Sequence, residues 1–292
     1  MKDLKGICCP VCTPFTEGGA AVDDDALKAQ IDSMIEAGVH IIAIAGGTGE
    51  FAYLRADERR HMAELAARHI DGRAALIVQT SAIATRDAIE FTKHAEGLGA
   101  DAVLVLPPYF EGPDMAGVRF HYEKLAAATE VPIMVYNIPV HSGIDLTPPF
   151  FKQLLEIDGV EYIKDSTGDM VRIQELVATG GKVFNGADPL PFYALMSGCV
   201  GAFWGAVNAM PHEAVKLYDL VSSGDYTAAR ALWQRLAPAN LFFWSHVYNP
   251  SVKAATNLSG RPVGLCREPV MPLSDAEMAE LKEALKPLGI TG

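Results

Sequence analysis

Residues 39–50 read VHIIAIAGGTGE: a short apolar, β-branched run that stops at a glycine-rich turn. A run with so little polar alternation suits a strand buried on both faces. Before it, residues 24–37 carry Leu27, Ile31, Met34 and Ile35 at three- and four-residue spacing; after it, residues 57–69 begin on an acidic turn. Both flanks are therefore expected to be helices. The unit then recurs. Apolar runs bounded by Gly, Pro or Asn lie at 6–13, 39–45, 75–80, 102–106, 132–136, 160–163, 182–184 and 200–204. Stretches of helical period lie between them at 24–37, 57–69, 85–97, 120–128, 148–156, 169–178 and 189–196. Strands that alternate with helices imply a parallel sheet, because the crossover needs the helix. Eight units in a row predict closure into an α/β (β/α)8 TIM barrel rather than an open doubly wound sheet. No G-x-G-x-x-G follows the first strand to suggest a dinucleotide fold. Beyond Pro211 the pattern is wholly helical, at 212–221, 226–245, 251–257 and 274–285. The expected organisation is a catalytic barrel over 1–223 with a helical C-terminal extension over 224–292.

The composition fits one large core. Half of the 292 residues are hydrophobic, which excludes intrinsic disorder. With 24 basic and 36 acidic residues the formal charge is −12. No Lys/Arg-rich run is present to displace counterions from phosphates, which argues against a nucleic-acid binder. The opening MKDLKGICCP holds no long apolar segment, and runs such as 41–45 are too short for a bilayer, so a cytoplasmic, non-membrane location is expected. The five cysteines read as reduced thiols. Cys9-Pro10-Val11-Cys12 is a lone CxxC on the first strand, where period two would put its thiols on opposite sides. Buried packing is the expectation there. The histidines show no metal spacing, and no metal is expected.

In such a barrel, chemistry gathers where strands end. After the second strand, Gly46-Gly47-Thr48-Gly49-Glu50 lets backbone N–H groups and a hydroxyl converge on a small anion such as a carboxylate; the bland alternative is a tight turn. After the fifth, Tyr136 can turn its hydroxyl into the mouth and shuttle a proton, or simply be a buried, hydrogen-bonded tyrosine. Lys164 ends the buried sixth strand. Burial favours a lysine's free amine, the form that attacks a carbonyl to give a Schiff base; the alternative is a snorkelling lysine paired with Asp165. A carboxylate nest, a proton shuttle and an amine together are what a 2-oxo acid requires.

These residues also carry a resemblance. Gly46–Glu50, the YNIP at 136–139, Lys164 within IKDSTGD, GCVGAFWGAVNAMP at 198–211, Asn249-Pro250, Val252-Lys253 and PVMP at 269–272 resemble the dihydrodipicolinate synthase / N-acetylneuraminate lyase family of class I aldolases over nearly the whole chain. The resemblance implies a barrel with a C-terminal helical extension and a homotetramer built as a dimer of dimers. It also implies a reaction through an imine with pyruvate or another 2-oxo acid, without a cofactor. It makes Lys164 the Schiff-base lysine and Tyr136 the general acid/base. Gly47 and Thr48 become the pair that holds the substrate carboxylate, and Phe203 the residue whose backbone carbonyl faces the centre.

Three positions depart from the synthase members. Gly47 stands where they carry a hydroxyl residue, Phe110 where a tyrosine crosses the tight interface, and His141 where an arginine grips the second substrate. A neutral imidazole replaces a bidentate guanidinium poorly. GGTGEF resembles instead the members that act on 2-oxo-3-deoxy sugar acids, with Ser166, Gly186 and Asp188 placed to meet substrate hydroxyls and His141 a further candidate contact. Pro189 stands where sialic-acid lyases carry an acid, which disfavours neuraminate. The expected activity is a metal-independent 2-oxo-3-deoxy sugar acid aldolase, releasing pyruvate, or dehydratase. The alternatives are 4-hydroxy-tetrahydrodipicolinate synthase and a catalytically silent 2-oxo acid binder. Glu50 and Ser142-Gly143 are expected to be structural supports.

Overall fold

Residues 3–291 are described by a computed structural model. Eight parallel strands close into a barrel in chain order: β1 (Gly6–Pro10), β2 (Ile41–Ile44), β3 (Ala75–Gln79), β4 (Ala102–Val105), β5 (Ile133–Asn137), β6 (Val160–Asp165), β7 (Lys182–Asn185) and β8 (Gly201–Phe203). The seam pairs Gly6 with Gly201 and Cys8 with Phe203. Around it run α1 (Asp24–Glu36), α2 (Ala56–Ile70), α3 (Thr85–Gly97), α4 (Met115–Ala126), the single turn α5 (Pro139–Ser142), α6 (Pro148–Leu154), α7 (Met170–Val177), α8 (Pro191–Met196) and α9 (Pro211–Ser222). Three further helices follow: α10 (Tyr226–Ser245), α11 (Tyr248–Leu258) and α12 (Asp275–Leu285). No helix among the described residues is long and apolar enough to cross a membrane.

The strands are apolar on both sides because each side meets its own core. In β2, Ile41 and Ala43 face the barrel interior while Ile42 and Ile44 face the helices. Interior residues Cys8, Ile77, Met134, Tyr162 and Phe184 are each followed, two positions on, by Pro10, Gln79, Tyr136, Lys164 and Gly186. Alternation turns this second set inward too, at the rim where the strands end. The rim is the mouth.

Several boundaries differ from the sequence expectation, two of them with a single hydrogen bond as the cause. β1 stops at Pro10 rather than 13, since the Cys12 N–H leaves the ladder for the Asn208 side chain at 3.0 Å. Cys9 and Cys12 consequently share the outer core instead of lying on opposite sides. α4 starts at Met115 rather than 120, because Asp114 caps it by accepting from the Gly117 N–H at 2.9 Å. The C-terminal helices are tied to the barrel. Trp204, just past β8, donates to Asn240 of α10 at 2.7 Å, and Leu281 and Leu285 of α12 are fully buried. Each such leucine contributes about 1.5–3 kcal/mol of burial.

Candidate active site

Lys164 and Tyr136 lie side by side in the β5–β6 register. The Lys164 ammonium nitrogen Nζ sits 4.0 Å from the centre of the Tyr136 ring and 4.2 Å from that of Phe203. Lys164 is 5% exposed, and among the described residues it forms no ion pair with a carboxylate. Asp165 points away from it. Its carboxylate accepts from the Asn137 side-chain amide at 2.8 Å and from the Thr167 N–H at 3.1 Å, and burial raises its pKa. The snorkelling pair therefore does not form. Gly186 shapes the space around the lysine: a β-carbon there would lie 2.2 Å from Ser166 Oγ and 2.7 Å from Lys164 Cε. Only glycine lets the lysine stem pass. Ser166 Oγ in turn donates to the Gly186 carbonyl at 3.1 Å.

The Gly46–Glu50 turn comes up to the Tyr136 hydroxyl. A β-carbon on Gly47 would lie 3.7 Å from the Tyr136 hydroxyl oxygen. The turn is strained at its ends, with Ala45 at φ 54° and Glu50 at φ 59°; left-handed backbone costs about 1–2 kcal/mol per such residue. What holds it comes from α11. Asn249 donates to the Gly47 carbonyl at 3.1 Å, and Lys253 pairs with Glu50 at 2.7 Å with both side chains buried. The Arg267 N–H reaches the other Glu50 oxygen at 3.0 Å. The Tyr248 hydroxyl meets the Thr48 side chain and donates to Asp188 Oδ1 at 3.0 Å. One element thus sets the turn, the Thr48 hydroxyl and the acid after β7.

Residues 3–288 match the dihydrodipicolinate synthetase family. The chain belongs to this family. It is 34% identical to the 4-hydroxy-tetrahydrodipicolinate synthase of Syntrophobacter fumaroxidans, over 98% of this chain and 99% of that protein. It is 31% identical to the corresponding synthase of Methanopyrus kandleri, over 98% and 97%. Among solved structures, a putative dihydrodipicolinate synthetase from Pseudomonas aeruginosa superposes with a TM-score of 0.94 at 35% identity, covering 98% of this chain and 100% of the other. A prophage protein of the same family from E. coli K12, solved with pyruvate, gives 0.93 at 32% identity, covering 98% and 99%. The family works through a lysine Schiff base and needs no cofactor.

For a family member, the other candidate residues fall into distinct places. Phe203 contributes its ring as a wall beside Lys164. Asp188, offered by the sequence as a contact for substrate hydroxyls, is buried, and its second oxygen accepts from the Ala206 N–H at 3.1 Å. Phe110 is 76% exposed, beside the mouth-side loop after β4, and His141 is exposed on α5. Sequence reasoning missed Tyr248 and gave Asn249 and Lys253 no role. The signal was YNPSVK at 248–253, polar residues placed inside an otherwise apolar helical tail.

Two expected results follow from these supports. Lys253→Met leaves the Glu50 carboxylate buried without its partner, a loss of about 3–5 kcal/mol. Glu50→Gln with Lys253→Met should recover part of that loss; strictly additive denaturation midpoints would contradict the pairing. Asp188 gives a pH signature. Burial pushes its carboxyl up to about 6, against hydrogen bonds from Tyr248, Ala206 and Gly205 and the Lys164 charge, which pull it down. The folded state then holds this proton more tightly than the unfolded chain. Its stabilising contribution is complete below the unfolded pKa and is lost as pH rises through about 6. Relative to Asp188→Asn, the native protein should lose on the order of 3 kcal/mol between pH 4 and pH 7. Parallel stability curves for the two proteins would refute it.

Proposed function

We propose that this protein is a lyase that holds a 2-oxo acid as an imine on Lys164, with Tyr136 moving the proton. The observation that carries this reading is the buried Lys164 amine, in no ion pair among the described residues, walled by Tyr136 and Phe203, with the Tyr136 hydroxyl beside Gly47. The amine attacks C2 of the 2-oxo acid, and loss of water leaves an iminium that draws electrons from C3. Backbone N–H groups of the turn and the Thr48 hydroxyl receive the carboxylate. Loss of a C3 proton gives an enamine. In the condensing direction the enamine attacks an aldehyde, and Tyr136 gives a proton to the aldehyde oxygen. In cleavage, Tyr136 takes that proton back and the C3–C4 bond breaks.

The names of the relatives support 4-hydroxy-tetrahydrodipicolinate synthase, pyruvate plus aspartate semialdehyde, over the sugar-acid reading drawn from sequence. A specific observation favours the sugar-acid aldolase or dehydratase as the second reading. Gly47 offers no hydroxyl, and Phe110 and His141 stand where an aspartate semialdehyde site needs a phenol and a guanidinium. Turnover of pyruvate with aspartate semialdehyde, set against a panel of 2-oxo-3-deoxy sugar acids, separates them. Product formation from the first pair alone supports the synthase; pyruvate or a dehydrated 2-oxo acid from the panel alone supports the second reading.

We also propose a homotetramer. Nine of the exposed apolar side chains lie on two sets of elements: Ile83, Phe110, Phe120 and Val140 on the loops and helices after β3, β4 and β5, and Val171, Tyr193, Met196, Leu241 and Trp244 on α7, α8 and α10; others, such as Leu265 and Met271, lie outside both. Two such sets of exposed apolar side chains are what the two interfaces of a dimer of dimers would cover.

A further inference from the structure

Gln79 ends β3, and its side chain follows Ala75 and Ile77 inward, onto the same rim as Tyr136 and Gly186. It is 2% exposed, and neither its Nε2 nor its Oε1 has a hydrogen-bond partner among the described residues. Its backbone is held, since Arg59 Nη2 donates to the Gln79 carbonyl at 3.0 Å. The amide ends at the anion turn: a β-carbon on Gly46 would lie 3.5 Å from Gln79 Oε1. Two other buried polar side chains of the mouth are satisfied, Ser166 by Gly186 and Asp188 by Tyr248 and Ala206. An amide buried without a partner is costly, and buried polar groups in folded proteins are nearly always paired. Here the pairing group is one that enters the mouth.

We propose that Gln79 is a substrate-contacting specificity residue, whose Nε2–H donates to the carboxylate of the 2-oxo acid bound at Lys164. Rotation of the amide presents either end to the same spot, so Nε2 can take the position beside Gly46. The contact completes the turn from the neighbouring strand. Gly47 brings no side-chain donor, and Thr48 alone brings a hydroxyl; Gln79 supplies the second side-chain donor. The inference rests on the imine reading above.

The test uses the full-length protein, pyruvate as the probe, and the rate of borohydride-trapped adduct as a function of pyruvate concentration. Gln79→Leu removes the amide but keeps the apolar stem. Half-saturating pyruvate should rise about tenfold or more, the loss of one charge-assisted hydrogen bond, while the rate at saturation changes less than about twofold. The thermal midpoint should hold or rise, because the unpaired amide is gone. Gln79→Glu should bind pyruvate worse with rising pH, as a second carboxylate ionises beside the first; the native protein should not share that trend. Unchanged half-saturation in Gln79→Leu would overturn the inference. So would a fall in saturating rate and thermal midpoint together, which marks a packing role. If the native protein traps no pyruvate at all, the imine reading fails and takes this inference with it, an outcome distinct from a normal native titration with an unaffected variant.

Discussion

Lys164→Met is expected to reduce turnover by on the order of 10⁴-fold or more while leaving the barrel folded. Methionine matches the unbranched lysine stem that threads past Gly186 and places an apolar end between the Tyr136 and Phe203 rings. It has no nitrogen, so no imine can form. Removing an amine from a buried position where no ion pair compensates it relieves a desolvation cost, and the thermal midpoint should stay level or rise. Steady-state rates with the substrate identified by the panel, alongside thermal melts, check both halves. Activity within tenfold of native would show that the amine is not the nucleophile.

Tyr136→Phe should lower turnover about 10²–10⁴-fold, the usual worth of a positioned acid/base group. The substitution keeps the ring against Lys164 Nζ and deletes only the hydroxyl beside Gly47. Pyruvate should still be trapped on the lysine, because imine formation needs the amine first. Turnover should suffer far more than the half-saturating substrate concentration. If trapping and turnover both persist at native rates, the proton moves through another group.

The fold was legible because each strand is a short, doubly buried run and each helix carries its own period. Those patterns are local. The (β/α)8 closure follows from counting them, and the edges that moved were set by single hydrogen bonds, such as the Cys12 N–H taken by Asn208 and the Gly117 N–H taken by Asp114. Lys164, Tyr136, Gly47 and Thr48 were legible for a related reason: each stands out chemically at a strand end. Tyr248, Lys253 and the placement of Asp188 were not. Their partners Thr48, Glu50 and Ala206 lie in distant or differently directed segments, and no periodicity records such contacts. Nothing in the 75–80 run marks Gln79, whose amide is buried without a partner beside the turn. The acceptor substrate divides the two kinds of information. Whole-chain similarity points to the synthase, while Gly47, Phe110 and His141 point to a different second substrate.

Borohydride reduction of the native protein in the presence of pyruvate, followed by peptide mass mapping, reads an imine on Lys164 as a stable adduct. One pyruvate-derived secondary amine per chain is expected, on the peptide that carries Lys164 and on no other. An unmodified Lys164, or modification elsewhere, for example at the buried Lys253, would contradict it.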